Sequence, residues 1–126
     1  MKKEVIDAIH ELQEAYGEDN IEVKPDGNGG ALIVVKNIDI GDKFIPSKIW
    51  CGFHINHMYP MSDVYPHFVN SDLQFNGGSD LKGPYQKREW NARNSIQVSR
   101  RSKRWNPALD TALLKLEKVI QFIRES

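Results

Sequence analysis

Three hydroxyls and a run of cations stand close together late in this chain. Ser95, Ser99 and Ser102 are set among Gln97, Arg100, Arg101, Lys103 and Arg104. Side chains alternate along an extended segment, so Ser95, Gln97 and Ser99 share one face there. A serine is a useful nucleophile only beside a positioned base; without one, such hydroxyls simply solvate a surface segment. The cations admit further readings. With Trp90 and Trp105 they could contact phosphates and stack on bases, as in a small nucleic-acid-binding module. Five residues from Arg100 to Arg104 make a short footprint. A docking surface for an acidic partner is the more economical reading, and nucleic acid is disfavoured.

Cys51 is the obvious rival nucleophile. Along Ile49 to Asn56, Ile49, Cys51, Phe53 and Ile55 alternate with Trp50, Gly52, His54 and Asn56, and the first set suits a core-facing register. A free thiol there is expected to be buried and structural. His54, His57 and His67 lie near Cys51 in sequence, but Cys51 and His54 fall on opposite faces and no second close pair completes a zinc set. No metal or other cofactor is expected. One of these histidines is a candidate base for a serine, because imidazole titrates near neutrality.

The elements that must position these groups follow from apolar periodicity. Val5, Ile6, Ile9, Leu12 and Tyr16 recur at helical spacing and predict a first helix stopped by Gly17. Ile21–Lys24 and Ala31–Ile40 read as strands joined through the turn cluster Pro25-Asp26-Gly27-Asn28-Gly29-Gly30. Ile49–Asn56 is a third strand and His67–Val69 a short fourth. Tyr59-Pro60 to Tyr65-Pro66 is an ordered loop, since proline lacks the donor a ladder needs. Asn70 to Gln86 reads as irregular. Asn106 suits a helix N-cap and Pro107 a first turn, with Leu109, Leu113, Leu116, Ile120 and Ile123 as the buried stripe. The sum is a single α+β domain over residues 1–126: an N-terminal helix, an antiparallel four-stranded meander, an irregular active-site segment and a C-terminal helix.

Composition agrees with one ordinary domain. Hydrophobic residues make up 40%, and 17 basic residues balance 17 acidic ones, so total charge implies no nucleic-acid partner. The charge is segregated, however. Glu4, Asp7, Glu11, Glu14, Glu18 and Asp19 crowd the start, whereas from Lys87 to Arg104 the only acid is Glu89. No run is long and apolar enough for a membrane span, and the charged start Met1-Lys2-Lys3-Glu4 leads into no signal-peptide core, so a cytoplasmic location is expected.

Gln97, eight residues before the Trp105-Asn106-Pro107-Ala108-Leu109 motif, completes a pattern that resembles the active-site segment of the ubiquitin-conjugating enzyme superfamily. There a cysteine follows an aliphatic residue, and eight positions later a Trp opens a Trp-x-Pro-Ala-Leu helix start. Here Gln97 occupies the cysteine's place. Tyr59-Pro60 resembles the family's Tyr-Pro dipeptide, Pro66 lies near its second proline, and Ser99-Arg100-Arg101 before Trp-Asn-Pro is similar to a bacterial branch that occurs beside ubiquitin-like modifiers. The resemblance implies acyl transfer, in which a modifier's activated C-terminus passes from an activating enzyme to this chain and on to an amine. Glutamine cannot carry an acyl group. Ser99, or else Ser95 or Ser102, would then accept the modifier as an oxyester, with Arg100, Arg101 and Gln97 stabilising the oxyanion, because the family's His-Pro-Asn motif has no counterpart before Gln97. Arg100, Arg101, Lys103, Arg104, Tyr59 and Pro60 would meet the partners. The alternative within the family is a noncatalytic binding subunit, like its members that lack the cysteine.

Overall fold

A computed structural model describes residues Met1–Ser126. Helix α1 (Lys3–Tyr16) buries Val5, Ala8, Ile9 and Leu12 and ends where Gly17 turns to φ 92°. A 3-10 turn leads into strand β1 (Ile21–Pro25). It is followed by β2 (Ala31–Asp39), β3 (Phe44–Ile45), β4 (Lys48–Ile55), β5 (His67–Asn70), β6 (Gln74–Phe75), β7 (Tyr85–Trp90), β8 (Arg93–Val98) and helix α2 (Ala112–Arg124). The main sheet has six strands in the order β1-β2-β4-β5-β8-β7, with every neighbouring pair antiparallel. β3 and β6 form a separate two-stranded ribbon.

Strand alternation assigns the two faces. Ile33, Val35, Cys51, Phe53, Ile55, Val69, Ile96 and Val98 point inward and form one apolar cluster with Leu12 of α1 and Leu116, Ile120 and Ile123 of α2. Both helices therefore cover this face. On the other face Trp90 lies flat over Phe68, ring centroids 4.9 Å apart and planes 9° apart. That arrangement needs Gly52, because a Cβ there would come within 2.2 Å of the Trp90 ring. Trp50 lies under Arg93, whose guanidinium carbon is 5.1 Å from the ring centroid.

Besides the β3–β6 ribbon, whose Gln74–Phe75 falls in the stretch Asn70–Gln86 read as irregular, the architecture departs from the sequence expectation in two places. Two strands of the main sheet beyond the expected four come from Tyr85–Val98, a stretch anticipated as partly irregular and partly an extended active-site segment. It is a hairpin, turning at Asn91 and Ala92 with φ 52° and 58°. Both residues adopt the left-handed region that a two-residue hairpin turn demands, with alanine where glycine is the usual signal. The second departure concerns α2, which starts at Ala112 rather than near Asn106. The Asn106 side chain closes a local turn by accepting from Ala108 N at 2.9 Å, while Thr111 Oγ1 caps the helix by accepting from Leu114 N at 3.1 Å. The threonine wins because its backbone is extended (φ −133°, ψ 164°) and three residues before the donor it satisfies. Leu109, expected in the buried stripe, is 71% exposed, whereas Leu116 is fully buried.

These positions separate cleanly in stability. Leu116→Ala is expected to cost about 2–5 kcal/mol. Leu109→Ala should stay within about 0.5 kcal/mol. Urea unfolding of both variants checks this, and equal losses would contradict the placement of the α2 start.

Candidate functional site

The loop between β4 and β5 and the segment from Val98 to Thr111 are held together by side chains that each satisfy a backbone group. Trp105 Nε1 donates to Pro60 O at 2.7 Å, and Tyr59 OH accepts from Ala112 N at 3.1 Å. Ala112 opens α2, where the first N–H groups lack intrahelical partners, so the tyrosine hydroxyl supplies one of them. Tyr59 is buried and its phenol titrates above the usual range, chiefly through that burial. Tyr59 and Pro60 thus hold the chain's own helix start.

Deeper in the same place lies an ion pair. Lys115 sits on the buried side of α2, its side chain 5% exposed, and its ammonium donates to both oxygens of Asp63 at 3.0 Å. Ser102 completes the group. Its backbone N–H donates to Asp63 Oδ2 at 2.7 Å, its hydroxyl donates to Asp63 Oδ1 at 3.1 Å, and the same hydroxyl oxygen accepts from Lys115 Nζ at 2.6 Å. Burial lowers the lysine's pKa, and the hydrogen bond and charge of Asp63 oppose that shift. An ammonium so enclosed requires a fully engaged carboxylate.

Ser102 and Lys115 also line a cleft of about 600 Å³, whose other walls include Arg100, Arg101, Lys103, Arg104 and Lys118. Arg100 is stacked on Phe122 (4.2 Å from guanidinium carbon to ring centroid) and Arg101 on Tyr65 (4.9 Å). Stacking leaves guanidinium N–H groups free for an anion. Asp110 on the rim lies 3.7 Å from Lys118.

The other residues singled out in sequence lie elsewhere. Ser95 is buried, with its hydroxyl donating to Arg88 O at 2.8 Å. Gln97 Nε2 donates to Ser99 Oγ at 3.0 Å, so these two do share a face, but no base is hydrogen-bonded to Ser99. Cys51 is fully buried, and burial pushes its thiol up, away from thiolate chemistry. His54 is paired with Asp26 at 2.7 Å beside the β1–β2 turn, where Asp26 also accepts from Asn28 N and Gly30 N; the histidine is the main reason its carboxyl lies below the usual range. No three His, Cys, Asp or Glu side chains converge as a metal site, and no helix is long and apolar enough to cross a membrane.

Asp63 and Lys115 were not singled out from the sequence. They are 52 residues apart, and Asp63 lies in an irregular loop. One signal was available: Lys115 falls between Ala112 and Val119 on a stripe otherwise made of apolar residues, a position where a charge needs a buried partner.

His67 is the one side chain with buried polar atoms that have no hydrogen-bond partner. It is fully buried beside Phe53, and neither ring nitrogen has a hydrogen-bond partner. Burial first, then the Lys115 charge, lowers its pKa from 6.5 to about 3. It is therefore neutral and enclosed, unsuited to serve a serine as base. Between those two values the unfolded chain binds a proton that the native state refuses. Stability is thus full above pH 6.5 and drains as pH falls toward 3, by about 3–5 kcal/mol. His67→Leu should flatten this acid limb between pH 6.5 and 4 in denaturant titrations, and an unchanged slope would remove His67 as its cause. Set against models of known protein families, curated proteins and solved structures, the chain matches none.

Proposed function

We propose that this chain is a ubiquitin-conjugating-enzyme-like protein of a bacterial-type pathway. It takes a ubiquitin-like modifier from an activating enzyme and holds the modifier's C-terminus on a serine, as an oxyester, where the family uses a cysteine. The order of elements supports this: an N-terminal helix, the antiparallel strands β1, β2, β4 and β5 side by side, a Tyr-Pro loop, an extended segment, a Trp-x-Pro turn and a helix. One observation carries the reading. The two motifs behind the resemblance, 45 residues apart, are hydrogen-bonded to each other through Trp105 Nε1 and Pro60 O. The unit they form flanks Gln97–Arg104, where the modifier would be received, and the cations of that segment suit an acidic docking surface.

The noncatalytic reading has its own support. Gln97 occupies the nucleophile's place in the motif, and Ser99 Oγ is occupied by the Gln97 amide with no base beside it. The two readings differ in one experiment. Candidate ubiquitin-like modifiers are incubated with their activating enzymes, ATP and this chain, and the products are weighed intact. The expected product is a one-to-one adduct that survives thiol reductant and is cleaved by hydroxylamine. Arg100→Glu with Arg101→Glu should slow its formation about 10-fold, by loss of electrostatic steering. A charged activating enzyme with no adduct on this chain would establish the noncatalytic binding subunit instead.

A further inference from the structure

We infer that Ser102, activated by Asp63 and Lys115, is the acyl-accepting centre of this chain. The inference deepens the reading proposed above and rests on it for the identity of the natural acyl donor. Of the three serines in the segment, Ser95 Oγ is buried and committed to a backbone carbonyl, and Ser99 Oγ has only an amide neighbour. Ser102 Oγ lies between an ammonium 2.6 Å away and a carboxylate oxygen 3.1 Å away. A purely structural tie between loop and helix would be complete without this hydroxyl. Lys115 already donates to both Asp63 oxygens, and the Ser102 backbone N–H holds the segment to the same carboxylate. Ser102, moreover, is on the wall of the cationic cleft, and the proposal places the acyl donor there.

The step balances with these groups alone. Ser102 Oγ attacks the carbonyl carbon of an ester or thioester, and its proton passes to Asp63. Lys115 holds the charge on the serine oxygen as the proton leaves, and Arg100 and Arg101 surround the tetrahedral oxyanion in the cleft. Collapse breaks the bond from the carbonyl carbon to the leaving oxygen or sulfur. That atom takes the proton from Asp63, and an oxyester remains on Ser102. Asp63 and Lys115 are catalytic in the strict sense, since both touch the reacting oxygen.

p-Nitrophenyl acetate tests this on the full chain without any modifier. Peptide mapping of the acetylated protein is expected to place a hydroxylamine-labile acetyl group on Ser102. Ser102→Ala should abolish it, and Ser102→Cys should move the acetyl group to a thioester at the same position. Lys115→Met and Asp63→Asn should each slow acetylation of Ser102 about 100-fold, the range of a lost acid–base partner. Lys115→Arg, which keeps the cation, should recover part of the rate. The double variant Asp63→Asn with Lys115→Met removes both charges together and leaves neither buried alone, so it remains informative if either single variant unfolds in a thermal scan. An acetyl group on Ser99 or Ser95 instead, or a Ser102 rate no faster than that of N-acetylserine amide, would overturn the assignment. The two proposals fail separately. Without acetyl-Ser102 this centre falls and the conjugating-enzyme reading stands; acetyl-Ser102 in a chain that never takes a modifier leaves the centre and removes that reading.

Discussion

A lysine ammonium inside the packing of a helix on a sheet is tolerated only where a carboxylate comes to meet it. Lys115 imposes that constraint here. Asp63 must be drawn inward from the loop between β4 and β5, and once there it has lone pairs to spare for the backbone and hydroxyl of Ser102. One charge therefore ties three separate stretches of chain at a single point. Such a pair adds little net stability, because desolvation consumes most of the Coulombic gain. What it supplies is position: loop, basic segment and helix have one arrangement in which the charge is satisfied.

The neighbouring contacts act in the same sense. Tyr59 and Trp105 turn the ends of their side chains to backbone groups that would otherwise lack partners, so the loop and the turn before α2 brace each other. Arg100 and Arg101 lie on Phe122 and Tyr65, an arrangement that limits the freedom of two long cations. Two of the cations that border the cleft are thus held in place. A fixed charge stabilises a developing anion with less reorganisation than a mobile one does. His67 marks the cost of building so close to a buried charge, since its imidazole is shut in beside Phe53 with no partner at either nitrogen.

Much of the frame was legible from periodicity. The stripe of Val5, Ile9 and Leu12, the alternation through Cys51, Phe53 and Ile55, and the run Leu116, Ile120 and Ile123 each name a buried face without help from the rest of the chain. The hairpin of β7 and β8 was not legible. β7 carries Lys87, Arg88 and Glu89 with few apolar residues, and its turn uses Asn91-Ala92 where glycine would have announced it. Its strand character comes from pairing with β8, which in turn pairs with β5. The start of α2 escaped for a related reason: Asn106 and Thr111 are both good caps, and the choice between them depends on where Tyr59 stands to receive the Ala112 N–H.

By itself, the sequence determined the helices at either end, the faces of the first strands, the burial of Cys51 and the crowding of cations between Arg100 and Arg104. All of these follow from residue type at short spacing, and hydrophobic periodicity is a local property. Tertiary structure alone decided which serine keeps company with a carboxylate and an ammonium. Asp63, Ser102 and Lys115 are far apart along the chain and carry no shared motif. Their meeting depends on desolvation: a cation placed on the apolar side of a helix makes a partner obligatory, and only the folded path of the loop determines which carboxylate fills that role.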